Sequence, residues 1–363
     1  MKSKIFATAA AIAMIAVCLA AIPAESDAAI TVEDGLGKNF SFSSPVNKVI
    51  AVGVGPTATV IGIGCLDKIV VSDNYSYKNT DPLFADFKKL VDQGKIAAGG
   101  NIYSSGKAQL KTDIVAAADP ETGTFDMKKD LVIVTGSDTY RANIVPDLEE
   151  LGFRYVMQWR DITSYSDIID FAEAISEVCT GREVAAVEEM ENVVDYIEDK
   201  AEDARVQKKE AFYVTYSANT FKVGNTGSLA TSMILAAFGK VITLDSDKPS
   251  TYEANITNIV AEHPGCIIFV DNTIHSDAGK YDDLKRAAGG KATFVDLKPI
   301  WNNYCIESMY GVWTMACAMY PDLFEGDVPV HDGGSDDNLV LYLAAGLVAV
   351  AVIGIAAYFF MRP

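Results

Sequence analysis

Histidine is scarce in this chain. Three residues in 363, His263, His275 and His331, fall in separate local settings. A protein-held zinc or transition metal needs several His or Cys ligands gathered together, so no resident metal centre and no cofactor are expected. Cysteine is thin as well, with six residues and no CxxC pair. Cys18 sits in an apolar leader, which leaves an odd five, and at least one must be unpaired within the chain. Cys179 lies on the apolar face of a helix and Cys266 opens an apolar strand, the usual settings of a buried thiol, so no disulfide is expected. Basic residues are outnumbered, 30 against 49 acidic, for a formal charge of −19. Without a basic patch, a nucleic-acid partner is excluded. There is no GxxxxGK[ST] and no GxSxG. Gly53-x-Gly55 lacks the third glycine of a dinucleotide loop and has Pro56 in the turn, so it reads as a tight strand-to-helix turn. Nothing here scaffolds an enzyme.

What the chain does contain begins at its two ends. Lys2 and Lys4 precede the apolar run Ile5–Ile22, and small residues follow, so residues 1–28 read as a secretory signal peptide. Val17 before Cys18 fits a lipoprotein poorly. Leu339–Met361 carries no charge and would be about 34 Å long as a helix, enough to cross a membrane. Asp336 and Asp337 before it and Arg362 after it place the body outside the cell and a short tail inside, a single-pass membrane protein. Three sequons, at Asn39, Asn74 and Asn255, sit on that exported body.

The middle is organised around Ser164–Arg205. Val187, Met190, Val194, Ile197 and Ala201 recur at steps of three and four, one helical stripe. Ser164 with Asp167 marks a helix start, and Thr180-Gly181-Arg182 breaks it. On either side the same grammar appears: an apolar strand, a polar or glycine turn, a helix. Strands are expected at Lys48–Val52, Lys68–Val71, Asp130–Val134 and Phe153–Gln158, and again at Ala211–Thr215, Val241–Leu244, Cys266–Val270 and Thr293–Asp296. The fold class is therefore α/β: two Rossmann-like lobes joined by a long helix, with a C-terminal transmembrane helix. The divisions are 29–160 for the first lobe, 161–205 for the connector, 206–325 for the second lobe, 326–338 for an acidic linker and 339–361 for the membrane helix. Polar and aromatic groups gather at strand exits, where open α/β sheets place ligands.

The order of fragments carries a resemblance. Val49-Ile-Ala-Val-Gly-Val-Gly-Pro56, Asp67-Lys-Ile-Val, Gly99-Gly100, Asp130-Leu-Val-Ile-Val, Leu151-Gly152 and the Thr180-Gly-Arg-Glu break come in the first half. Tyr213-Val, Gly227-Ser-Leu, His263-Pro-Gly-Cys-Ile-Ile-Phe-Val and Met319-Tyr-Pro-Asp-Leu-Phe follow. Over about Lys48–Phe324 the chain resembles the helix-spined substrate-binding proteins of ABC importers, the group that captures ferric siderophores, haem and cobalamin. The resemblance implies a metal-chelate ligand between the lobes, an ABC permease as partner and a monomer. Carried onto this chain, the ligand-binding candidates are Thr57, Tyr75, Tyr77, Tyr103, Tyr140, Arg141, Trp159, Tyr216, Asn219, Asn272, Trp301 and Tyr304. Arg141 and Trp301 lead that set, Arg141 through forked hydrogen bonds to a carboxylate or hydroxamate. In better-known relatives one Glu on each lobe docks on the permease; the aligned positions are Thr112 and Thr257, with Asp113 and Glu253 nearby. Glu121–Lys128 is an insertion. The alternatives are a surface sensor or adhesin on the same fold and, third, an extracellular α/β enzyme.

Overall fold

The computed structural model describes residues 29–103, 105–160 and 164–329. The signal peptide, His331 and the apolar run 339–361 lie outside the described residues. Among the described residues, no helix is long and apolar enough to cross a membrane.

Two sheets form. In the first, β3 (Val49–Val52), β4 (Ile69–Val71), β5 (Leu131–Thr135) and β6 (Tyr155–Trp159) run parallel in the order β4-β3-β5-β6. These strands are near-continuous apolar runs because both faces are covered. Val49, Ala51, Leu131, Ile133 and Met157 point into one core, while Ile50, Val52, Val132, Val134 and Val156 point into another with Leu110, Ile114 and Leu148. The covering helices are α1 (Val54–Gly62), α2 (Ala85–Asp92), α3 (Lys107–Ala117) and α4 (Val145–Leu151). Expected at Ala58, α1 instead starts inside the glycine turn. Pro56 suits a first helical turn, and Gly53 enters it at φ 122°.

The segment before β3 is not a plain leader. A hairpin of β1 (Ile30–Glu33) and β2 (Asn39–Phe42) lies against the connector, tied to β6 by the buried Asp34, whose carboxylate accepts from Leu36 N, Lys38 N and Gln158 N. The insertion 121–128 is closed by Asp119, which accepts from Glu121 N and Thr122 N, and it packs Phe125 on Phe153.

The connector is a pair of helices, broken where the sequence reading placed the break. α5 (Tyr165–Thr180) opens with the Ser164–Asp167 capping box and closes at Gly181, left-handed at φ 85°. α6 (Ala185–Asp203) follows and packs on α5. Tyr165, Ile168, Phe171, Ala172, Ile175, Val178 and Cys179 are all buried, so α5 is covered nearly all round: β1 and α1 on the first-lobe side, α7 (Leu229–Ala236) on the second. One apolar core runs from the first sheet through both connector helices to the second sheet.

The second sheet is mixed. β7 (Glu210–Ser217), β11 (Ile267–Val270) and β12 (Thr293–Asp296) are parallel, β8 (Thr220–Gly224) and β10 (Thr251–Glu253) extend it antiparallel, and β9 (Lys240–Val241) pairs with the start of β7. Its outer face packs on α8 (Ile256–Glu262) and α9 (Ala278–Ala288), and its inner side meets α7 and α10 (Ser308–Met319). Two expectations change here. Tyr216–Thr220 is not a strand exit but a two-residue hairpin turn, with Ala218 and Asn219 both left-handed (φ 51° and 62°). Strand Val241–Leu244 shrinks to Lys240–Val241.

Candidate functional site

All four strands of the first sheet end at one edge, and their exits carry the aromatic residues. Tyr75 follows β4, Tyr103 lies in the loop behind it, and Tyr140 follows β5. Tyr75 and Tyr103 stand edge to face at 5.5 Å, and Tyr103 and Tyr140 at 4.6 Å. The three side chains remain 47%, 38% and 39% exposed. An exposed cluster of three rings at a sheet's carboxyl edge is a built apolar wall, since scattered surface aromatics need no such mutual contact.

The loops beneath the rings are fixed by small polar residues. Asp73, itself buried, caps the turn Asn74–Lys78 by accepting from Ser76 N at 2.8 Å and Ser76 Oγ at 2.7 Å. Burial raises the Asp73 pKa, and the hydrogen bonds from Ser76 and the backbone oppose that. The Ser76 hydroxyl continues to Thr57 (3.2 Å) and Thr57 to Ser72 (2.6 Å). Three asparagines then stitch the loops together. Asn74 N donates to Gly100 O, Asn101 Nδ2 donates to Asn74 Oδ1 while Asn101 Oδ1 accepts from Tyr103 N, and Asn143 Nδ2 donates to Ile102 O. Gly100 is required: a Cβ there would sit 2.0 Å from Leu110 N.

Asn101→Ala removes a buried amide that holds two loops, and a loss of about 1–3 kcal/mol is expected in chemical unfolding.

The remaining first-lobe candidates have other surroundings. Thr57 is fully buried in the hydroxyl chain. The Tyr77 hydroxyl donates to Asp92 at 2.6 Å, which turns the ring onto α2. Trp159 is 5% exposed, edge to face with Phe171 at 4.7 Å and roofed by Gly35. Arg141 is 6% exposed, and its guanidinium donates to Gly136 O (2.9 Å), Gln158 Oε1 (3.0 Å) and Asp138. It braces the Tyr140 turn instead of reaching outward.

On the second sheet, Asp271 at the exit of β11 accepts from the Tyr213 hydroxyl at 2.6 Å and from Thr273 N, and Asn302 Nδ2 donates to the same Tyr213 oxygen at 3.2 Å. Burial first, then the Asp271 charge, pushes the Tyr213 pKa upward, so the phenol stays a donor. Asn272 begins the turn after Asp271 and is half-buried. Trp301 packs on Gly311 with the Lys298 ammonium 4.9 Å from its ring centre. Tyr216 points to the outer face, stacked edge-on with Phe221 under Lys280, and Asn219 is exposed at the hairpin tip. Asp73, Asn101, Asn143, Tyr213 and Asn302 were missed by sequence reasoning. The turn-forming Asp73-Asn74 and the glycine-flanked Asn101 are the signals that pointed to the first two.

The two edges meet at Tyr304. Its carbonyl accepts from Thr59 Oγ1 at 2.8 Å, and its side chain sits so close that a Cβ on Gly55 would lie 3.0 Å away. Beside this contact is Glu307, whose pKa is raised to about 7 by burial and by Asp81 of the first lobe, with Lys298 opposing. An acid raised in the folded state supports folding fully below its unfolded value near 4.5 and loses that support as pH rises through 7. Stability on the order of 2 kcal/mol is therefore expected to fall between pH 5 and pH 8. Glu307→Gln should flatten that part of the curve in urea unfolding at each pH.

A groove of about 480 Å³ also lies along α5, α6 and α7, lined in part by Ile169, Glu191, Val194 and Leu235. None of its lining residues leaves a strand end, so it is separate from the edges described above. Among the described residues, no cluster of three His, Cys, Asp or Glu could hold a metal.

No family model and no curated protein matches the sequence. Solved structures do. The CeuE protein of Helicobacter pylori, crystallised as a nickel–histidine complex, aligns with a TM-score of 0.56 at 14% identity over 82% of this chain and 90% of that one. The vitamin B12-binding protein BtuF of Vibrio cholerae aligns at 0.52 and 17%, over 76% and 98%. The haem-binding protein RhuT of Roseiflexus sp. RS-1 gives 0.52 and 14% over the same shares. This is the periplasmic binding-protein fold. In this binding-protein fold the tyrosine wall and the Tyr213–Asp271 group occupy the carboxyl edges of the two sheets. Thr112 and Thr257 are exposed, their hydroxyls turned back onto the carbonyls of Ala108 and Ala287.

Proposed function

We propose that the chain is an extracytoplasmic substrate-binding protein of an ABC importer. It captures a metal chelate between its lobes and passes it to a permease without chemistry of its own. The observation that carries this reading is the exposed cluster of Tyr75, Tyr103 and Tyr140, held by buried polar residues at the edge where ligands enter open α/β sheets. Asn272, Trp301 and Tyr304 are the second-lobe candidates. Such a guest carries its own metal, so the protein needs shape, aromatic surface and a few polar groups, the inventory described above. Similarity in fold to proteins named for vitamin B12, haem and nickel–histidine supports the same class of guest. The run 339–361 serves as the anchor, with 326–338 as its tether, which keeps the body at high effective concentration near the permease.

Titration of the full chain with haem, cobalamin and a ferric hydroxamate, read by quenching of intrinsic fluorescence, is expected to give saturable one-to-one binding with one of them. Failure to saturate with all three would overturn the chelate assignment.

A further inference from the structure

Three Asn-x-Ser/Thr triplets stand on the body of the chain: Asn39-Phe-Ser41, Asn74-Tyr-Ser76 and Asn255-Ile-Thr257. An oligosaccharide can be joined to such an asparagine only where its amide nitrogen and the hydroxyl two residues on are both within reach of a transferase. The fold treats the three differently.

Asn39 opens β2, whose residues alternate between exposed and buried. Phe40 and Phe42 turn inward onto Tyr155, with ring centres 6.5 Å and 4.2 Å away. The two-residue period of a strand therefore puts Asn39 and Ser41 together on the outward face, both exposed. Among the described residues no hydrogen bond holds the Asn39 side chain, and the Ser41 hydroxyl meets only the exposed Thr31 hydroxyl, at 3.4 Å. Asn74 is the opposite case. Its amide bridges two loops, Nδ2 donating to Gly99 O at 3.4 Å and Oδ1 accepting from Asn101 Nδ2 at 3.2 Å. Ser76 is fully buried, and its hydroxyl is engaged by Asp73 and Thr57. Asn255 is exposed, but it caps α8 by accepting from Asn258 N at 3.1 Å, and the Thr257 hydroxyl donates to Ala287 O at 2.9 Å.

We propose that Asn39 is an N-glycosylation site and that Asn74 and Asn255 stay bare. This rests on the extracytoplasmic reading, because the sugar donor meets exported chains. The co-substrate is an oligosaccharide joined to a polyprenyl phosphate or pyrophosphate carrier. Asn39 Nδ2 bonds to the anomeric carbon of the first sugar. The bond from that carbon to the carrier's phosphate oxygen breaks, its electron pair staying on the phosphate, and the displaced amide proton passes to a base on the transferase. Nothing is oxidised or reduced. Placement separates the sites as well. Asn74 directly precedes Tyr75, where a glycan would cover the tyrosine wall, whereas the β1–β2 hairpin lies beside β6, on the flank of the first sheet away from β4.

The test is glycopeptide mass spectrometry on the full chain purified from the membranes of cells that make it naturally. The Asn39 peptide is expected to be heavier by the mass of a glycan and to release sugar fragment ions, with the Asn74 and Asn255 peptides at their polypeptide masses. Asn39→Gln and Ser41→Ala should each return that peptide to its unmodified mass. Both changes lie on an exposed face, so the variants should keep the wild-type melting temperature. An exported chain, recognised by a mature N-terminus lacking residues 1–28, with a bare Asn39 or with a glycan on Asn74 or Asn255, would overturn this proposal and leave the extracytoplasmic reading standing. A chain recovered with residues 1–28 and no sugar would overturn both.

Discussion

Tyr103→Ala is expected to weaken guest binding by about 10- to 100-fold, corresponding to roughly 1–3 kcal/mol, while leaving the fold intact. Tyr103 is the middle ring of the wall and the one in edge contact with both neighbours. Truncation removes its own apolar face and also releases Tyr75 and Tyr140 from their mutual orientation. The stability cost is small by comparison, because the side chain is 38% exposed and its loop is held through its backbone nitrogen, which an alanine keeps. Isothermal titration beside thermal unfolding separates the two effects. Tyr77→Ala should do the reverse, losing stability through Asp92 and α2 with little change in affinity.

Phe171→Ala is expected to cost about 3–5 kcal/mol of unfolding free energy, the largest single loss predicted here. The ring is fully buried at the middle of α5, edge to face with Trp159 at 4.7 Å, inside the one core that joins both sheets. The close-packed core around it leaves little to fill the space, so the cavity should persist and its lining should lose dispersion contacts. Guanidinium unfolding should show a lower midpoint. Since the core is shared, both sheets should unfold in one transition; two separate transitions, with only one displaced, would contradict a continuous core.

The architecture was legible in the sequence where the physics is local. Apolar runs such as Leu131–Val134 announce strands buried on both faces, and the Ser164–Asp167 cap and Gly181 stop of α5 stand at the expected residues. The hairpin at Ala218–Asn219 was not legible, because neither residue favours the left-handed conformation as glycine does; the pairing of Val214 with Val223 imposes it. The break at Thr180-Gly181-Arg182 was legible, but the packing of α6 on α5 was not, since periodicity reports which face is apolar and not what covers it. At the site, Tyr75, Tyr103 and Tyr140, all three named from the sequence, stand in ring contact. Arg141 and Trp159 looked equally available in sequence, yet the carbonyl of Gly136, Gln158 and Asp138 engage the first, and Gly35 with Phe171 covers the second. Such partners are tertiary neighbours, invisible to a local reading.

Native mass spectrometry of the chain loaded with candidate chelates tests most directly whether the tyrosine wall holds a metal chelate. A one-to-one complex carrying the isotope pattern of the guest's metal is expected for the wild type, with occupancy lost in a folded Tyr75→Ala/Tyr103→Ala/Tyr140→Ala variant. Equal occupancy in the two proteins, or an empty wild type with every chelate offered, would contradict it.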